Sequence, residues 1–132
     1  MNQPIQTRHT VVTSIVDDDD SVRSAIKSLL RSSGYKVQTY CSASEFLETN
    51  GARQTDCLIS DIQMPGMNGL ELHKQLVRMG IHLPTLFITA YPEAFPPMLT
   101  DSPALMAYLP KPCDPDRLLN FVKTALHSTT DI

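Results

Sequence analysis

The chain has 132 residues, of which 42% are hydrophobic, and its formal net charge at pH 7 is −3. This length and composition fit one domain with an ordinary core and exclude a fibrous or largely disordered protein. The eleven lysines and arginines are scattered along the chain, so we expect no direct nucleic-acid binding by this domain, which would need clustered positive charge. No apolar run reaches the length of a membrane span, and three cysteines without CxxC spacing fit a reduced, cytoplasmic protein.

The first strand and helix follow a polar extension of ten residues. Residues 11–16 are β-branched and apolar enough for a central strand, which stops at four aspartates, residues 17–20. Apolar residues then recur at helical spacing. We therefore expect a first helix with Asp20 or Ser21 as its N-cap and Gly34 at its end.

A second strand and a second helix come next. Residues 35–40 alternate as a strand does, and the sequence from Ser42 to Glu45 is typical of a capping box that opens a helix. The apolar run that follows ends on Asp61, and Pro65 and Gly69 then break it. Asp61 is thus predicted at the carboxyl end of a buried strand.

The second half of the chain continues the pattern. A third helix is predicted to end at Gly80, and a strand follows over residues 85–89. Residues 90–103 hold four prolines, which cannot all lie inside one helix, so we expect a short or displaced helix there. Residues 105–109 read as the last strand, and Asp114 followed by proline predicts the start of the last helix.

This pattern of five strand-helix repeats predicts an α/β fold. Short right-handed crossovers favour a doubly wound, flavodoxin-like (βα)5 domain, with a parallel five-stranded sheet and helices on both faces. We expect the extension to cover residues 1–10, the domain residues 11–127 and a C-terminal tail residues 128–132.

Polar residues follow four of the predicted strands at the edge where their carboxyl ends meet. They are Asp17, Asp18, Asp61, Thr89 and Lys111. Two carboxylates ~4 Å apart repel by about 4 kcal/mol at an effective dielectric near 20, so either one takes a proton or a cation lies among them. Because oxygen ligands suit Mg²⁺ and Zn²⁺ prefers histidine or cysteine, the sequence predicts a magnesium site.

The same residues predict phosphoryl chemistry. Asp61 is able to act as a carboxylate nucleophile toward a phosphoryl donor and form an aspartyl phosphate. The metal and Lys111 would neutralise charge on the phosphoryl oxygens, and Thr89 would supply a hydroxyl to one of them.

The chain resembles the receiver domains of bacterial two-component response regulators, through motifs that span most of its length. These are Ile15-Val16-Asp17-Asp18, the run from Asp61 to Gly69, Thr89-Ala90, Tyr108 and Lys111-Pro112. The resemblance implies that Asp61 accepts a phosphoryl group from a histidine kinase. It also implies that Asp17 and Asp18 hold Mg²⁺, with Asp18 as the more direct ligand, and that the backbone carbonyl of Gln63 completes the protein's ligands.

Further roles are implied by the same resemblance. Thr89 and Tyr108 would form the switch pair, and Lys111 would contact the phosphate. The run from Asp17 to Arg23 is similar to the FixJ/LuxR-type subgroup, whose receivers precede a helix-turn-helix domain that these 132 residues do not include. We therefore expect a self-phosphorylating switch, not a turnover enzyme, that controls a transcription-type output and forms a phosphorylation-dependent homodimer.

Two departures keep other functions open. Cys113 stands where an aromatic residue often follows the Lys-Pro pair, and residues 90–103 are unusually rich in proline. One alternative is therefore a receiver-like interaction module that is poorly phosphorylated. Another is a phosphatase of the haloacid-dehalogenase type, which would need a second aspartate where Gln63 stands.

We expect the four histidines at the surface and the three cysteines in the core.

Overall fold

The computed structural model describes residues 11–91 and 106–130, with side chains up to residue 126 at the carboxyl end. Five parallel strands form one sheet in the order β2-β1-β3-β4-β5. They are β1 (Val12–Val16), β2 (Lys36–Tyr40), β3 (Cys57–Asp61), β4 (Thr85–Thr89) and β5 (Met106–Pro110). This is the flavodoxin-like strand order, as predicted.

Four helices lie within the described ranges, together with a short 3-10 turn at Gly51–Gln54. The helices are α1 (Asp20–Ser32), α2 (Ala43–Glu48), α3 (Gly69–Arg78) and α4 (Pro115–Thr130). The predicted helix between β4 and β5 falls largely outside the described residues. No helix in the described part of the chain is both long and apolar enough to cross a membrane.

Helices cover both faces of the sheet, as predicted. Because successive strand residues point to opposite faces, Ile59 packs with α1 and α4 while Leu58 packs with α2 and α3. The three central strands are buried on both sides, which explains why β3 and β4 read as continuous apolar runs. The residues at the carboxyl edge of the sheet are therefore carried by strands that lie in the core.

The N-cap of α1 is Asp19, so the prediction of Asp20 or Ser21 was wrong by one or two residues. Asp19 has extended backbone angles, and its side chain accepts hydrogen bonds from the backbone N–H groups of Ser21 and Val22. Asp20 already belongs to the first turn of the helix, where its negative charge interacts favourably with the helix dipole.

The predicted positions of the histidines and cysteines were partly wrong. His73 is buried on the inner face of α3, because it lies four residues after Gly69 and three before Leu76, which is the helical spacing of the face toward the sheet. Its ring packs edge-on against Phe87 of β4, with ring centroids 5.8 Å apart. Cys57 is a core residue, but Cys41 is exposed.

Candidate functional site

An acidic cluster lies at the carboxyl edge of the sheet. The register of β1 and β3 pairs Val16 with Ser60, so the next residues, Asp17 and Asp61, come side by side. Carboxylate oxygens of Asp17, Asp18 and Asp61 all lie within 4.8 Å of one another. Asp17 and Asp61 are buried, whereas Asp18 is exposed. The structure thus brings together the three predicted acidic residues.

Lys111 reaches the same cluster from the end of β5. Its backbone N–H donates to the carbonyl of Thr89 over 2.8 Å, which continues the pairing of β4 and β5 by one residue. The Lys111 Nζ atom lies 3.1 Å from Asp17 Oδ2 and 3.3 Å from Asp61 Oδ1. Within residues 11–91 and 106–130 these two buried oxygens make no hydrogen bond of good geometry, so Lys111 contacts them as an ion pair.

The cluster carries more negative than positive charge. Burial, and then the charge of Asp17, raises the pKa of Asp61 to about 6, although Lys111 acts in the opposite direction. Burial lowers the pKa of Lys111, but the nearby carboxylates of Asp17 and then of Asp61 outweigh it and leave this pKa raised. The charge of Lys111 therefore does not offset the effects of burial and of Asp17 on the pKa of Asp61.

The residues present fit a hard divalent cation. Their donor atoms are carboxylate oxygens, two of which are buried with only the Lys111 ion pair to compensate them. Exposed Asp18 leaves the cluster open on one side, which suits a cation such as Mg²⁺ that keeps some of its water ligands. Gln63, whose backbone carbonyl was predicted as a ligand, follows Asp61 by two residues.

The predicted switch residues lie on one face of β4 and β5. Thr89 is buried and pairs with Pro110, while Tyr108 is half-buried and pairs with Phe87, two residues earlier. The rings of Phe87 and Tyr108 are tilted, with centroids 5.8 Å apart. The Thr89 hydroxyl donates a hydrogen bond to the side-chain oxygen of Gln63. Thr89 and Tyr108 are thus near neighbours but not direct cross-strand partners.

The family follows from a match over most of the chain. Residues 13–123 match the response regulator receiver domain. The chain belongs to this family. Receiver domains take part in phosphorelay signalling as switches, interact with histidine kinases and bind magnesium in an acidic pocket. The predicted resemblance and fold class are confirmed.

Several relatives of this receiver domain are transcription regulators. It is 35% identical to the response regulator protein TmoT of Ectopseudomonas mendocina over 115 residues, which are 87% of this chain and 52% of TmoT. It is 34% identical to the transcriptional regulatory protein FixJ of Azorhizobium caulinodans over 114 residues, covering 85% of this chain and 53% of FixJ. The receiver domain thus spans about half the length of these relatives.

Solved structures support the same assignment. The response regulator StyR superposes with a TM-score of 0.80 at 38% identity, over 90% of this receiver domain and 60% of StyR. The chemotaxis protein CheY4 of Vibrio cholerae superposes with a TM-score of 0.71 at 25% identity, over 89% of this chain and 99% of CheY4.

Sequence reasoning missed one determinant of this receiver domain's site. Gly69 served only as a break signal, but a Cβ atom there would lie 2.3 Å from the backbone oxygen of Asp61. The Gly69 N–H also donates to the carbonyl of Ile62 over 3.0 Å. Its place at the start of α3, so soon after Asp61, was the available signal. Gly69 allows α3 to begin directly against the residue that carries the carboxylate.

Proposed function

We propose that this receiver domain accepts a phosphoryl group onto Asp61 from a phosphohistidine of a histidine kinase, in a Mg²⁺-dependent reaction. The main support for this proposal is that buried Asp61 lies together with Asp17, Asp18 and Lys111 at one edge of the sheet. A lone acidic residue at a strand end would be an ordinary surface feature. Three carboxylates and an ammonium group around one point are the charges that phosphoryl transfer needs.

The residues have distinct roles in this reaction. A carboxylate oxygen of Asp61 attacks phosphorus; the new O–P bond forms as the N–P bond of the phosphohistidine breaks, and the imidazole nitrogen keeps the electron pair. With a pKa of about 6, Asp61 is mostly ionised at neutral pH and can act as a nucleophile. Lys111 lies 3.3 Å from Asp61 Oδ1 and is placed to pair with the added phosphoryl charge.

The metal would be held by Asp17, Asp18, Asp61 and the backbone carbonyl of Gln63. When bound, Mg²⁺ supplies positive charge that offsets repulsion between the carboxylates and the incoming phosphoryl group. Asp17 is oriented for this role, because its Oδ1 accepts the N–H of Asp19 over 2.8 Å. Arg23 also donates to the backbone oxygen of Asp17, which fixes the start of the acidic run.

Phosphorylation would act through Thr89 and Tyr108 to change the surface that β5 and α4 form. A groove of about 290 Å³ between β5 and α4 includes Tyr108, Arg117 and Phe121 among its lining residues. We infer that phosphorylation changes this face and promotes a homodimer through it. Unchanged sedimentation on addition of beryllofluoride, a phosphoryl mimic, would contradict the dimer.

The relatives support a transcription-type output. FixJ is a transcriptional regulatory protein, and this domain covers about half of its length. We propose that the domain controls such an output domain and does not itself bind DNA. Because bacterial DNA lies in the cytoplasm, we propose a cytoplasmic location as well.

The proposed function is tested by phosphorylation with acetyl phosphate and Mg²⁺, followed by intact mass. Wild-type protein should gain one phosphoryl group, and Asp61→Asn should gain none while remaining folded. Asp116→Asn, an exposed carboxylate in the first turn of α4, is the matched control and should be phosphorylated normally. Absence of modification in wild type would favour the inert interaction module, and turnover of a phosphate ester would favour the phosphatase.

A further inference from the structure

The side chain of Gln63 makes a specific contact with the predicted switch residue. The Thr89 Oγ1 hydroxyl donates to Gln63 Oε1 over 3.0 Å. The same Thr89 oxygen accepts the backbone N–H of Tyr91 over 2.9 Å. Thr89 is therefore held from two sides, by the residue two positions after Asp61 and by the backbone that leaves β4.

Gln63 and a phosphoryl group on Asp61 would compete for the hydroxyl proton of Thr89. Threonine has one hydroxyl proton and so donates one strong hydrogen bond at a time. While the proton is donated to Gln63, it is not donated to a phosphoryl oxygen on Asp61. Because Thr89 is buried, water is a poor substitute for either partner.

We propose that the Gln63 side chain is a latch, which holds the Thr89 hydroxyl in the unphosphorylated state and must release it when the phosphoryl group arrives. This inference rests on the proposed phosphorylation of Asp61. Gln63 is then a positioning residue that acts through Thr89. It contributes to the balance between the two states of the switch.

The latch is weak enough to be released. A bond between two neutral groups contributes less than one to a charged phosphoryl oxygen, so the exchange favours the phosphorylated state. Removing the Gln63 acceptor should therefore shift the balance toward that state about two- to tenfold, the range expected for one neutral hydrogen bond. The Tyr91 N–H should report the shift, because its acceptor is the oxygen that moves.

A double-mutant cycle tests the latch, with the Kd for beryllofluoride at saturating Mg²⁺ as the measurement. Gln63→Met removes the amide and keeps the chain length, and Gln63→Ala removes the same acceptor in a second way. Either should tighten beryllofluoride binding about two- to tenfold. In a Thr89→Val background, which has no hydroxyl, the same substitutions should have no effect. Gln54→Met, at an exposed glutamine of the 3-10 turn, is the matched control and should leave the Kd unchanged.

A second readout is taken on the variant without beryllofluoride. In free Gln63→Met, the Tyr91 amide resonance should move along the line that joins free and beryllofluoride-bound wild type. Wild-type binding combined with an unchanged Kd in the Gln63 variants, or with an equal change in the Thr89→Val background, would overturn the latch alone. Failure of wild type to bind beryllofluoride would overturn both the latch and the proposed function.

Discussion

The ammonium group of Lys111 lies 3.3 Å from a buried carboxylate oxygen of Asp61 and 3.1 Å from one of Asp17. Lys111→Met would leave both oxygens without this compensation. We expect the free energy of unfolding of the metal-free protein at neutral pH to fall by about 1–3 kcal/mol, the cost of leaving buried polar groups unsatisfied. Chemical denaturation in the presence of a chelator would measure it.

The loss should depend on pH in a defined direction. Lys111 lowers the pKa of Asp61, so Asp61 should take up a proton more readily in Lys111→Met. The difference in unfolding free energy between wild type and this variant should therefore shrink as the pH falls through the pKa of Asp61. Lys123→Met, on an exposed part of α4, should change stability by less than about 0.5 kcal/mol. Equal effects of the two substitutions would contradict a compensating role for Lys111.

Mg²⁺ should stabilise the fold through the acidic cluster. A ligand that binds only the folded state adds about 2.7 kcal/mol at a concentration one hundred times its Kd. Asp17→Asn combined with Asp18→Asn should abolish the rise in Tm on addition of Mg²⁺. Asp19→Asn removes a neighbouring charge, yet asparagine caps a helix as well as aspartate does, so this control should keep the full rise. A Tm that is indifferent to Mg²⁺ in wild type would contradict the metal site.

Gly69→Ala should damage the site as well as the fold. The added Cβ atom would lie 2.3 Å from the backbone oxygen of Asp61, so β3 and α3 would have to separate. We expect a loss of about 1–3 kcal/mol, as for other overpacked positions, and slower phosphorylation by acetyl phosphate.

A glycine far from the site provides the comparison. Gly80 has a φ of +79°, and a Cβ atom added there would meet nothing within 4 Å. Gly80→Ala should therefore cost about 1 kcal/mol of backbone strain and leave the phosphorylation rate unchanged. Equal rates for the two variants would show that the contact between Gly69 and Asp61 does not position the carboxylate.

Buried His73 should make stability depend on pH in weak acid. Burial, and then the charge of His82, lowers the pKa of His73 in the folded protein. The unfolded chain therefore binds the proton more readily, and the contribution of His73 to stability should be lost as the pH falls below about 6.5, the usual histidine pKa.

Substitutions separate this effect from other titrations. His73→Leu should flatten the acidic limb of the curve of unfolding free energy against pH. His82→Gln should keep most of the limb, because burial is the larger cause of the shift at His73. An unchanged limb in His73→Leu would assign the acid sensitivity to other groups.

The order of strands and helices, and the polar residues at the strand ends, could be predicted from the sequence. Apolar runs such as residues 57–60 and 85–88 mark buried strands because parallel strands covered on both faces have no polar side. Asp17, Asp61 and Lys111 each follow such a run, and parallel strands bring their carboxyl ends to one edge. These patterns involve residues that are neighbours in the chain, so they can be recognised from the sequence alone.

Tertiary structure alone decided the contacts that depend on register and packing. The pKa of Asp61 follows from its burial and from how near Asp17 and Lys111 lie, and neither is a property of its neighbours in the chain. The hydrogen bond between Gln63 and Thr89 joins residues 26 positions apart. The burial of His73 against Phe87 likewise required α3 to be seated on the sheet. Such features arise from distances between elements, because pair interactions and desolvation act through space and not along the chain.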